Sequence, residues 1–87
     1  MPHVLVRHKV ADFDQWKPGY DSHLSARLNA GLVEEHVLRN ADDPNEVFLL
    51  FRADDLQKAK EFAASDDLRE KMQEAGVTDK PDIYFLT

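Results

Sequence analysis

The stretch Leu32-Val33-Glu34-Glu35-His36-Val37-Leu38-Arg39-Asn40-Ala41-Asp42-Asp43-Pro44-Asn45-Glu46-Val47-Phe48-Leu49-Leu50-Phe51-Arg52-Ala53 decides how this chain folds. Two β-prone segments flank Asn40-Ala41-Asp42-Asp43-Pro44-Asn45, a cluster of residues that pre-set turn dihedrals or bond their own backbone, so the stretch reads as a hairpin. The second segment holds five consecutive apolar residues, Val47 to Phe51. Alternation sends Val47, Leu49 and Phe51 to one face and Phe48 and Leu50 to the other, so this strand needs cover on both sides. The first segment carries Glu34-Glu35-His36 at its centre and suits a sheet edge, which charge commonly guards.

Working outward toward the amino end, His3 to Val10 alternates Val4, Val6, His8 and Val10 against His3, Leu5, Arg7 and Lys9, a strand pattern. Asp12 is placed to cap a helix whose Phe13, Trp16, Tyr20, Leu24 and Leu28 share a face. Pro18-Gly19 interrupts that face, which predicts a short first turn, a bend near Lys17 and a helix proper from Pro18 to about Ala30, closed by Gly31. Toward the carboxyl end, Asp54-Asp55 caps a helix with Leu56, Ala59 and Ala63 on one face. Ser65-Asp66-Asp67 restarts it with Leu68, Met72 and Ala75 inward and Gly76 as the stop, and Asp82 to Thr87 forms a last strand. The order βαββαβ predicts an α+β, ferredoxin-like domain over residues 1–87, an antiparallel sheet of order 4-1-3-2 with both helical regions on one face. The other sheet face is then an apolar patch larger than monomers usually expose, and a two-fold homodimer closed through the sheets is expected to cover it.

A single domain of 87 residues buries a modest core, and 43% apolar with 32% charged residues places it among folded globular chains. Seventeen acidic against 11 basic residues give a net charge of −6, which disfavours nucleic acid and anionic membrane as partners. The lack of cysteine excludes disulfides and thiolate metal sites and fits a cytoplasmic protein. Met1-Pro2-His3-Val4 leads directly into a strand, with no signal-peptide pattern and no apolar run of membrane-spanning length. Metal-binding spacings, phosphate-binding glycine loops and nucleophile elbows are all missing from the sequence.

Four histidines are the natural candidates for proton transfer near neutral pH. His8 lies among valines on a central strand, where it either finds a local partner or lines a pocket. Trp16, Tyr20, His23 and Arg27 fall on one flank of the first helical region. That flank either borders a cleft for an aromatic, enolic or anionic ligand, or Trp16 and Tyr20 are core with His23 and Arg27 keeping their polar ends in water. His36 is expected near an edge, His3 in solvent. Arg52, on the face of Phe48 and Leu50, either pairs with an acid at the dimer seam or binds an anion, and Tyr84 can donate to a ligand or reach out at the sheet end.

The runs Val6 to Lys17, Leu38 to Val47, Ala59 to Arg69 and Ala75-Gly76-Val77 resemble small bacterial proteins of the dimeric α/β-barrel superfamily, similar to the antibiotic-biosynthesis-monooxygenase-like proteins. The resemblance implies a homodimer whose sheets form a barrel, with a small pocket in each protomer between sheet and helices. Relatives in this superfamily include cofactor-independent quinone-forming monooxygenases, polyketide cyclases, haem-degrading enzymes and muconolactone isomerases. Two expectations follow. One is a cofactor-independent enzyme acting on an aromatic or polyketide-type molecule, with His8 and His23 moving protons and Trp16, Tyr20, Arg27, His36, Arg52 and Tyr84 binding the substrate. The other is a non-catalytic homodimeric binding or assembly module.

Overall fold

The computed structural model describes residues 2–78 and 80–87, so the reading of the terminus at Met1 lies outside them. Along the chain run β1 (His3–Lys9), α1 (Phe13–Ser22), α2 (Leu24–Asn29), β2 (Leu32–Asn40), β3 (Asp43–Ala53), α3 (Leu56–Ala63), α4 (Asp66–Glu74) and β4 (Asp82–Leu86). The sheet order is β2-β3-β1-β4 and every pairing is antiparallel, the α+β, ferredoxin-like arrangement expected. The apolar strand β3 and the alternating strand β1 occupy the centre, with Val4 opposite Phe51 and Val6 opposite Leu49.

The inner face carries Val4, Val6, Val47, Leu49, Phe51 and Ala53, all buried beneath Trp16, Tyr20 and Ala59 of the helices. No described helix is long and apolar enough to cross a membrane.

The hairpin is tighter than its composition suggests. Only Ala41 and Asp42 lie between the strands, Asn40 faces Asp43 across the turn, and Asn40 Oδ1 accepts from Asp42 N at 2.8 Å. Strand β3 therefore takes in Pro44, which costs no ladder bond to β1 because the β1 pairing reaches only to Glu46.

The first helical region departs from the expected bend near Lys17. Helix α1 runs unbroken through Pro18 to Ser22. Asp12 anchors its start, its Oδ1 accepting from Asp14 N at 2.8 Å and Gln15 N at 3.3 Å. Pro18 forgoes one bond to the Asp14 carbonyl, but both residues are exposed and water can take that carbonyl. The break falls instead at His23, whose φ of −93° and ψ of 13° leave helical geometry before α2 begins. The Gly31 and Gly76 stops behave as read, at φ of 78° and 89°. Ser65 restarts the second region, its Oγ accepting from Leu68 N at 3.2 Å and donating to Phe62 O at 2.7 Å.

Candidate functional site

A cavity of about 70 Å³ lies between the inner sheet face and the helices. Strand β1 contributes Val4, Val6 and His8 to its wall, β3 contributes Leu49 and Phe51, and the helices close it with Trp16, Tyr20, Phe62, Leu68 and Met72. The alternation that buries the core is thus what carries His8 inward: two residues on from Val6, it keeps the same face and is 1% exposed.

The aromatic groups form a continuous stack along one side. The His8 ring meets Trp16 edge-on, centroids 5.5 Å apart at 67°, and Trp16 stacks on Tyr20 at 4.8 Å. The Arg27 guanidinium carbon sits over the Tyr20 ring, 3.8 Å from its centroid. These contacts follow from helical spacing, since Trp16 and Tyr20 are four apart and Arg27, seven beyond Tyr20 across the turn at His23, reaches the same ring.

Two polar contacts fasten the helices. Tyr20 Oη donates to Glu34 Oε1 at 2.6 Å, tying α1 to β2. Burial, and then this bond to a carboxylate, push the Tyr20 phenol well above its ordinary range, so it stays a neutral hydroxyl donor. Arg27 Nη1 donates to the Tyr20 carbonyl at 2.6 Å, beside the His23 N–H that reaches the same oxygen at 3.2 Å. Arg27 is only 6% exposed. The expectation that its polar end stays in water is overturned: a carbonyl freed by the helix break and an aromatic face give it a buried seat.

His23 stands at the rim. Its Nε2 lies 3.2 Å from Asp67 Oδ2, and its ring packs against Phe62 at 5.9 Å. Asp67, in the first turn of α4, is exposed, as is Lys71 one turn on, which lines the cavity.

Of the eight residues proposed from sequence, the structure gathers His8, Trp16, Tyr20, His23 and Arg27 around this cavity. His36, Arg52 and Tyr84 do not reach it. Arg52 and Tyr84 belong to the opposite face by simple alternation, Arg52 opposite His3 and Tyr84 opposite Leu5. His36 is turned there by a bulge at Glu35: the register jumps from Glu34 opposite Phe51 to His36 opposite Leu50. His3, expected in solvent, lies on that face with its Nε2 2.9 Å from Glu35 Oε1.

Sequence reasoning missed Lys71 and Phe62 as lining residues and Glu34 and Asp67 as partners of site groups. Their signals were present but read otherwise, Glu34 as a charged edge and Asp67 as part of a capping sequence. No group of three or more His, Asp or Glu among the described residues is arranged to hold a metal ion.

The open face has its own polar network. Glu46 receives Arg7 Nε at 2.8 Å and Asn40 Nδ2 at 2.7 Å, and Arg7 Nη1 reaches Asp82 at 3.5 Å, so the group links all four strands. The Asn40 bond, followed by Arg7, holds the Glu46 carboxyl below its ordinary range.

No protein-family model matches the chain, and no curated protein does. Solved structures share its fold at low identity. A provisionally named antibiotic biosynthesis monooxygenase from Bordetella bronchiseptica superposes with a TM-score of 0.78 at 13% identity, over 99% of this chain and 94% of that one. A variant of SnoaB, a cofactor-independent oxygenase from Streptomyces nogalater, gives 0.72 at 14% identity, over 99% and 90%. A conserved protein from Methanosarcina mazei Go1 gives 0.72 at 14% identity, over 98% and 89%. The fold is therefore that of the antibiotic-biosynthesis-monooxygenase-like structures.

Proposed function

We propose that the chain is a small-molecule enzyme of the cofactor-independent oxygenase or cyclase kind, acting in the sheet-helix cavity on an aromatic or polyketide-type molecule. The observation that carries this reading is His8, a proton-transfer side chain 1% exposed, at the wall of an apolar cavity beside the Trp16 ring. A phenol or enol against Trp16 would present its proton to His8, and loss of that proton leaves an electron-rich anion. In the oxygenase case dioxygen then reacts at the ring carbon that is a CH₂ in the keto tautomer, and that carbon becomes C=O, one oxygen entering the product and the other leaving as water with the two hydrogens. In the cyclase case the carbon of the enolate bonds to a carbonyl carbon, whose oxygen takes the proton back from His8.

The cavity limits the substrate. At about 70 Å³ it is smaller than an engineered apolar cavity of about 150 Å³ that admits benzene, so it seats part of one ring and leaves the remainder at the rim.

The working unit we propose is a homodimer closed through the open sheet face. Of the large apolar side chains left exposed among the described residues, Val33, Leu38, Tyr84 and Leu86 stand on that face around Leu5, Phe48 and Leu50, while Leu24 and Leu28 lie elsewhere.

A non-catalytic binding module is the second reading. It is favoured by the partners that Tyr20, His23 and Arg27 already have within the protein.

A thermal-shift screen with phenols, hydroquinones and phenolic polyketides, followed by oxygen uptake on the hits, separates these readings. The enzyme reading expects one-ring hydroxylated aromatics to raise Tm and His8→Gln to cut turnover by about 10²-fold or more with the fold retained. A hit consumed at equal rate by His8→Gln contradicts it, and hits without any turnover leave the module.

A further inference from the structure

The cavity's charge is opposite to that of the chain. The protein carries a net charge of −6, yet among the described residues no aspartate or glutamate lines the cavity, whose ionisable lining residues besides Tyr20 are His8, His23, Arg27 and Lys71. The basic groups concentrate toward one end: Arg27 follows His23 by one helical turn, and Lys71 lies on α4 one turn beyond Asp67, the residue that contacts His23. A carboxylate reaches this cluster from outside the wall, Asp67 Oδ2 at 3.2 Å from His23 Nε2, and Asp67 is two-thirds exposed at 66%.

We infer that the ligand of this cavity is a one-ring acid, held with its ring against Trp16 and its carboxylate at the rim, where it takes the place of Asp67 on His23 and gains Lys71. The inference rests on the cavity being a ligand site and adds the ligand's class.

Three features argue for it together. An apolar interior that seats part of one ring selects the body of the ligand, and the basic lining residues His23, Arg27 and Lys71 select its head group. The contact between His23 and Asp67 already shows a carboxylate oxygen at hydrogen-bonding distance from the imidazole, the position a ligand carboxylate would adopt. Asp67 gives it up at little cost, because it is solvated and keeps its favourable place in the first turn of α4. Lys71 pairs with the exposed Glu74 at 3.7 Å, a weak surface contact, and can turn toward the rim.

Isothermal titration with benzoate and with benzamide, a neutral molecule of nearly the same shape, tests the inference. Benzoate is expected to bind at least 10-fold more tightly than benzamide. Asp67→Asn, which removes the competing carboxylate from an exposed position, should tighten benzoate several-fold and leave benzamide unchanged. Lys71→Met should weaken benzoate selectively. Equal affinity for the two ligands in the unaltered protein, or an Asp67→Asn variant in which their ratio does not move, overturns the acid preference while leaving the cavity as a ligand site. Binding of neither overturns the cavity reading itself and this inference with it. Circular dichroism of the variants separates loss of binding from loss of fold.

Discussion

Tyr20 shows most plainly how single residues couple stability to the site. Its ring is a layer of the aromatic stack, its hydroxyl reaches Glu34 on β2, and its carbonyl receives Arg27. Tyr20→Phe keeps the stack and removes the hydroxyl bond, which is expected to cost about 1 kcal/mol in urea denaturation, because Glu34 is exposed enough for water to replace its donor. The same pair sets a pH dependence. A phenol held above its ordinary pKa of 10.0 contributes stability that is whole below that pH and lost as the pH rises past it, and Tyr20→Phe should flatten that loss. Glu46 works in the opposite sense. Its carboxyl is held below 4.5, so its contribution is present above that pH and lost as the pH falls through the folded value. Acid unfolding curves of Glu46→Gln should be shallower than those of the unaltered protein below pH 4.5, and superimposable curves would remove Glu46 from the account.

At the scale of elements, most of the architecture was legible and the exceptions have definite causes. The caps at Asp12, Asp55 and Ser65 and the stops at Gly31 and Gly76 could be read because each is a local bond or a local dihedral. The sheet order could be read because the element order βαββαβ makes the first and third strands central in a ferredoxin-like sheet. Two features could not. Pro18 reads as a helix breaker, yet an exposed site tolerates it, and the break at His23 carries no local signal because it depends on Arg27 and the surrounding packing. The bulge at Glu35 is equally silent, since nothing in Glu34-Glu35-His36 distinguishes a bulged from a regular edge strand, and it alone decides that His36 leaves the cavity's side.

These elements yield two stability tests. Pro18→Ala restores a backbone donor inside α1 at an exposed position and should stabilise the protein by about 2 kcal/mol, the helix gain exceeding the unfolded-state entropy that proline had removed. Ser65→Ala removes the cap of α4 and should cost about 1 kcal/mol. Because α4 bears Leu68, Lys71 and Met72 of the cavity wall, the loss should appear first as faster amide exchange in α4.

For the whole molecule, one sheet serves two purposes. Its inner face, sealed by helices, forms the core and the cavity, and its outer face remains apolar at the centre and charged at the margins, with Arg7, Glu46 and Asp82 at one end and His3 and Glu35 at the other. Such a face is suited to a second copy, and Leu50→Arg, at its centre, should convert a dimer to a monomer in sedimentation. A monomer before substitution would argue that the outer face has another purpose. The central claim, that the inner cavity is where a small molecule binds, is tested most directly by titrating a one-ring acid into ¹⁵N-labelled protein and mapping the backbone amide shifts. Saturable changes are expected at Val6 and His8 on β1, Trp16 and His23 in the first helical region, Leu49 on β3, and the residues of α4 around Met72. Saturable changes centred instead on Leu5, Phe48 and Leu50 of the outer face, or no change at millimolar ligand, would contradict it.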